Sequence, residues 1–125
     1  MTPLRWPSQI AAALGFLAVA LGAFGAHGLK VTLVARDTAA LWEKAVFFHL
    51  VHAVVLWTLR PRNGRPSLPW WFFLAGILLF SGSLYGLALV RIAWFGPITP
   101  LGGLALLIGW MLLVVNPNHS SYRKR

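Results

Sequence analysis

The chain has 125 residues, 58% of them hydrophobic and only 10% charged, with a formal charge of +9. Ordinary soluble domains are roughly one quarter charged, so a chain with a mean hydropathy of +0.72 cannot present all of its surface to water. The absence of cysteine excludes disulfides, thiolate nucleophiles, cysteine-ligated zinc and iron–sulfur clusters.

A short head, Met1 to Ser8, carries Arg5, Trp6, Pro3 and Pro7. The first membrane span is predicted over 10–28. Its glycines Gly15, Gly22 and Gly25 fall near one face, and Ala11, Ala18 and Gly25 repeat every seven residues. Small residues at such spacings let a neighbouring backbone come close, so this helix is expected to pack centrally. Arg5, the apolar run and the small residues before His27 also suit a secretory signal. The run is longer than most signal cores, and its glycines fit packing better.

Leu29 to Thr38 is a connector with Lys30, Arg36 and Asp37, and its apolar residues suit a short helix at the interface. Asp37 or Thr38 is placed to cap the second span, predicted over 39–59. Trp42 and Trp57 near its two ends fit an aromatic belt. Arg60 to Pro69 contains three prolines, three arginines and Asn63-Gly64, which breaks any helix. The third span is predicted over 70–90, with Gly82 and Gly86 as close-packing positions. The fourth is predicted over 99–115, with Thr99 as its cap and Pro100 in its first turn, where a missing N–H costs nothing. Gly102 and Gly103 then allow close approach to a neighbour. Asn116 to Arg125 is a polar tail in which His119 is solvated.

The basic residues set the orientation. Arg5, Arg60, Arg62, Arg65, Arg123, Lys124 and Arg125 fall on one side. Lys30, Arg36, Lys44 and Arg91 fall on the other, together with Asp37 and Glu43. The positive-inside rule then predicts an all-α, polytopic membrane protein: one domain, a bundle of four transmembrane helices with both termini cytoplasmic. Flanking charge of this kind serves the lipid bilayer as partner, and no nucleic-acid partner is expected.

Several stretches resemble a known family. LGAFGAHGL at Leu21 to Leu29, FSGSLY at Phe80 to Tyr85, ITPLGG at Ile98 to Gly103 and the Gly109-Trp110 pair are similar to the small YgdD-like bacterial inner-membrane proteins. That family is a domain of unknown function with eukaryotic transmembrane relatives. The resemblance covers roughly Ala11 to Leu113 and implies a four-span, multi-pass protein of the bacterial inner membrane. It brings no activity. The family's Tyr-Gln pair shortly before its His-Ala pair is replaced here by Phe48 and His49, whereas His52-Ala53 matches the latter.

Chemistry has few places to reside. His49 lies near the bilayer midplane, with His52 about 4.5 Å further along on nearly the same face. Ser81, Ser83 and Tyr85 of the antiparallel third span lie at similar depths. Polar groups are costly in hydrocarbon and turn inward. A polar interior of His49, His52, Ser81, Ser83 and Tyr85 is therefore expected, either as hydrogen-bonded glue or as a functional site. His27, Glu43 and Arg91 form a second candidate cluster at the outer face. His49 and His52 at i,i+3 are spaced to share a metal ion, but His27 lies about 15 Å from the membrane middle, half the hydrocarbon thickness. No metal site and no cofactor are predicted. The glycines of AFGAHG and SGS belong to no phosphate-binding fingerprint, because no strand precedes them.

The preferred function is structural or accessory, in a homo-oligomer or a larger membrane complex. The alternative is a small solute or proton transporter or channel acting as an oligomer. With both carboxylates near the outer surface and no catalytic residues assigned, an enzyme is not favoured.

Overall fold

We describe residues 5–61, 63–90 and 92–117 of a computed structural model. Helix α1 spans Trp6–Ala26, α2 Lys30–Ala35, α3 Ala39–Thr58, α4 Leu68–Val90 and α5 Phe95–Val115. Four of the five are long and apolar enough to cross a membrane. Twenty-one residues at about 1.5 Å each give roughly 31 Å, which matches a hydrocarbon core of about 30 Å. The protein is an all-α, four-span membrane bundle.

The helix ends follow local chemistry. Pro7 sits in the first turn of α1, where its missing N–H leaves no bond unmade, so the helix starts at Trp6, before the expected residue 10. The connector does form a short helix, α2. It stops because Asp37 takes a left-handed φ of 55°. The Thr38 amide then donates to the Leu33 carbonyl at 2.9 Å, and the Asp37 amide to Val34 at 3.1 Å, which satisfies two terminal carbonyls. Thr38 stands at the N-cap of α3 without capping it through its side chain. Its hydroxyl instead donates to the Ala88 carbonyl on α4, 2.9 Å away. Asn63 and Gly64, with φ of 51° and 76°, turn the chain between α3 and α4.

Helix α5 departs most from expectation. It begins at Phe95, so Pro100 lies inside the helix and Thr99 is no cap. Proline at position 100 cannot donate to the carbonyl four residues back. The Thr99 hydroxyl bonds the Phe95 carbonyl at 3.1 Å. Helix α4 also holds a surprise: Ile77–Ser81 is a π turn between the α-helical segments Leu68–Gly76 and Gly82–Val90.

The main packing runs α1 on α3, α3 on α4 and α4 on α5, with α2 over the end of α1 and α3. The sevenfold stripe Ala11, Ala18 and Gly25 is the face that α1 buries. Helix α1 is nevertheless peripheral. Only 11% of its most apolar stretch is buried, against 39% for α4. Near the chain-terminal end of the bundle Leu56, Leu59, Trp70, Phe73, Ile77 and Leu106 form the core. At the opposite end Leu33, Trp42 and Ala88 form a smaller one, with Tyr85 against it.

Glycine matters most where the π turn meets α5. A Cβ on Gly102 would lie 2.7 Å from both the Leu79 carbonyl carbon and the Phe80 Cα, and closer still to the Phe80 nitrogen. These are backbone atoms of the π turn, so the widened turn and the glycine fit one another. On the other side of the bundle, Gly25 leaves room for the Trp42 indole. The indole N–H donates to the Leu21 carbonyl on α1 at 2.9 Å.

Candidate functional site

Helix α3 places His49 and His52 three residues apart on its inner face, and both are buried. They do different things. His52 accepts the Trp110 indole N–H on Nε2 at 3.1 Å, while its Nδ1 lies 2.7 Å from the Phe48 carbonyl. An indole nitrogen only donates and a carbonyl only accepts. Both bonds are made together by the neutral ring carrying its proton on Nδ1. The imidazole is thus fully used, tying α3 to α5, with Phe48 stacked beside it at 6.0 Å and 10°.

His49 faces α4. Its Nδ1 lies 3.0 Å from the Tyr85 hydroxyl. The Tyr85 ring packs edge-on against Trp42, with centroids 4.8 Å apart. His49 Nε2 is buried and has no hydrogen-bond partner among the described residues, although the Leu14 backbone of α1 faces the ring. The Ser67 hydroxyl and the Trp70 indole N–H share that condition. An unsatisfied buried group costs about 1–3 kcal/mol, so His49 is the costly member of the pair.

The serines divide. Ser81, within the π turn, donates to the Ala45 carbonyl of α3 at 2.9 Å. Ser83 bonds the Thr99 hydroxyl of α5 and the Phe80 carbonyl of its own helix. Two residues along a helix turn the side chain by about 200°, so Ser81 and Ser83 serve opposite seams. The buried His, Ser and Tyr residues therefore form an internal network distributed over the α3–α4, α3–α5 and α4–α5 contacts. Trp110 and Thr99 complete it, and neither was expected there. The signal for Trp110 was available: an indole N–H at hydrocarbon depth needs an acceptor, and His52 lies at a comparable depth.

Only part of the expected outer cluster lies within the described residues. His27 and Glu43 are both exposed, and Arg91 lies outside the described residues. Among those residues no group of three or more His, Cys, Asp or Glu could hold a metal ion. Of the packing glycines, Gly22 faces Val46, Gly86 faces the Phe95 ring and Gly103 the Phe80 ring, whereas Gly15 and Gly82 have nothing within 4 Å. Gly76 against Leu106 and Gly109 against Phe73 are close contacts that the sequence reading had not assigned.

Comparison with known proteins matches residues 21–103 to a family described as a protein of unknown function, DUF423. A UPF0382 membrane protein of Staphylococcus saprophyticus is 43% identical over 79% of this chain and 85% of its own length. The UPF0382 membrane protein YwdK of Bacillus subtilis is 42% identical over the same two shares. A fungal relative, a UPF0382 membrane protein of Schizosaccharomyces pombe, is 36% identical over 86% of this chain and 97% of itself. No solved structure matches. With four spans and bacterial membrane-protein relatives, the protein is a multi-pass protein of the bacterial inner membrane. The chain belongs to the DUF423/UPF0382 family, which has bacterial and fungal members and no known function.

Proposed function

We propose that the protein is a structural or accessory component of the inner (cytoplasmic) membrane, close to the YgdD-like proteins and acting alone, as a homo-oligomer or beside a larger complex. Both termini and the Arg60–Pro69 loop are cytoplasmic in this reading, on the strength of the basic residues they carry. One observation supports it above all. Four buried or half-buried polar side chains bond across helices: His52 with Trp110, Ser81 with Ala45, Ser83 with Thr99, His49 with Tyr85. Such bonds hold helices together in lipid at about 0.6 kcal/mol each on average.

The second reading, a proton path, draws on His49 Nε2, the one buried imidazole nitrogen without a hydrogen-bond partner among the described residues. Proteoliposomes loaded with a pH-sensitive dye and given a potassium diffusion potential separate the two. The structural reading expects no protein-dependent proton flux. Flux that is lost in His49→Phe overturns it.

A further inference from the structure

The outer end of the bundle carries a feature that the polar seam does not use. A cavity of about 640 Å³ opens between α1, α2 and α3, walled by Gly22, Ala26, Leu33, Val46, Phe47 and Leu50. Its size lies within the ~300–1,000 Å³ of small-molecule sites. Lys30 at the start of α2 and Glu43 on α3 also line it. Among the described residues neither forms an ion pair.

From Ala39 to Leu50, the length of α3 that lines it, the groove descends about 16 Å. That is half of a hydrocarbon core about 30 Å thick. The groove thus runs from headgroup depth to the midplane, through one leaflet only. A cation and an anion stand in its upper part and apolar side chains reach to its foot.

We propose that this groove binds one glycerophospholipid with a zwitterionic primary-amine headgroup, a phosphatidylethanolamine, from the leaflet opposite the chain termini. The phosphate meets Lys30 and the ammonium meets Glu43, each by a charge-assisted hydrogen bond. One acyl chain lies along Val46, Phe47 and Leu50. The opposed charges select the class. Phosphatidylglycerol brings no ammonium to Glu43, and the quaternary ammonium of phosphatidylcholine has no N–H to donate to it. Missing side chains on Gly22 and Gly25 keep the α1 wall close to α3, where Trp42 seats against it.

Native mass spectrometry of the full chain in a delipidating detergent, with phosphatidylethanolamine, phosphatidylcholine and phosphatidylglycerol added in equal amounts, tests this. One phosphatidylethanolamine per chain should be retained at least fivefold over either competitor. Lys30→Gln and Glu43→Gln should each weaken retention about tenfold, equivalent to about 1.4 kcal/mol. Ala26→Trp, which fills the groove from α1, should abolish it. Lys30, Glu43 and Ala26 are exposed, and unchanged helical circular dichroism verifies that each variant folds. Equal retention of all three lipids, or unchanged retention in both charge variants, overturns the proposal. So does a dimer mass that Ala26→Trp removes, because a second copy would then be the occupant.

Discussion

Gly102→Ala is the sharpest perturbation available in this bundle. The added methyl would stand 2.7 Å from the Leu79 carbonyl carbon and the Phe80 Cα, and nearer to the Phe80 nitrogen. A flexible side chain could rotate aside; the backbone of a π turn cannot. Overpacking a filled site costs about 1–3 kcal/mol, and an immovable neighbour places this case at about 3. Alanine recovers about 1 kcal/mol through its higher helix propensity. The net loss is then about 2 kcal/mol. Gly15→Ala is the matched control, since nothing lies within 4 Å of its Cβ position. It keeps only the propensity gain and should stabilise by up to about 1 kcal/mol. Reversible unfolding in mixed micelles, followed by fluorescence of the seven tryptophans, should therefore separate the two variants by roughly 3 kcal/mol, the sum of those terms. If Gly102→Ala proves as stable as Gly15→Ala, the π turn and α5 are not in the close contact described.

Tyr85→Phe removes the hydroxyl at His49 Nδ1 and should cost about 1 kcal/mol, because the buried imidazole then lacks both partners; the same unfolding titration reads it. Ser81→Ala frees the Ala45 carbonyl of its second bond and should cost about 0.6 kcal/mol, whereas Gly82→Ala, in a helix position open to its surroundings, should stabilise by up to about 1 kcal/mol as Gly15→Ala does. The chain lacks cysteine, so single cysteines report topology cleanly. In intact cells a membrane-impermeant maleimide should label Val31→Cys and leave Asn63→Cys untouched until the membrane is opened; the reverse pattern refutes cytoplasmic termini.

Much of the fold was legible because the bilayer imposes a length. Four apolar runs broken by Leu29–Thr38, Arg60–Pro69 and the turn before Pro97 leave little freedom in element count. The π turn was not legible. Ile77 to Phe80 is a plain apolar run with no breaker, and its widening answers a tertiary contact with Gly102 rather than any local preference. The start of α5 was misplaced because Pro100 was read as a first-turn proline, whereas packing of Phe95 against Gly86 extends the helix back past it. Depth along the membrane followed from counting residues, so His49, His52 and Tyr85 were found at one level. Direction around each helix was underused: the 200° between Ser81 and Ser83 already separates them. The indole N–H of Trp110 is a donor that the resemblance of the Gly109-Trp110 pair does not by itself reveal.

The account rests on buried polar groups serving as bonds between helices, and His52 with Trp110 is the case in which both partners can be removed without leaving a charge. A double-mutant cycle with His52→Phe, Trp110→Phe and the pair, measured by unfolding in mixed micelles, reads that bond directly. A coupling energy of about 0.6–1.7 kcal/mol, in the range for interhelical bonds in membranes, is the predicted result. Strictly additive single and double variants would contradict it.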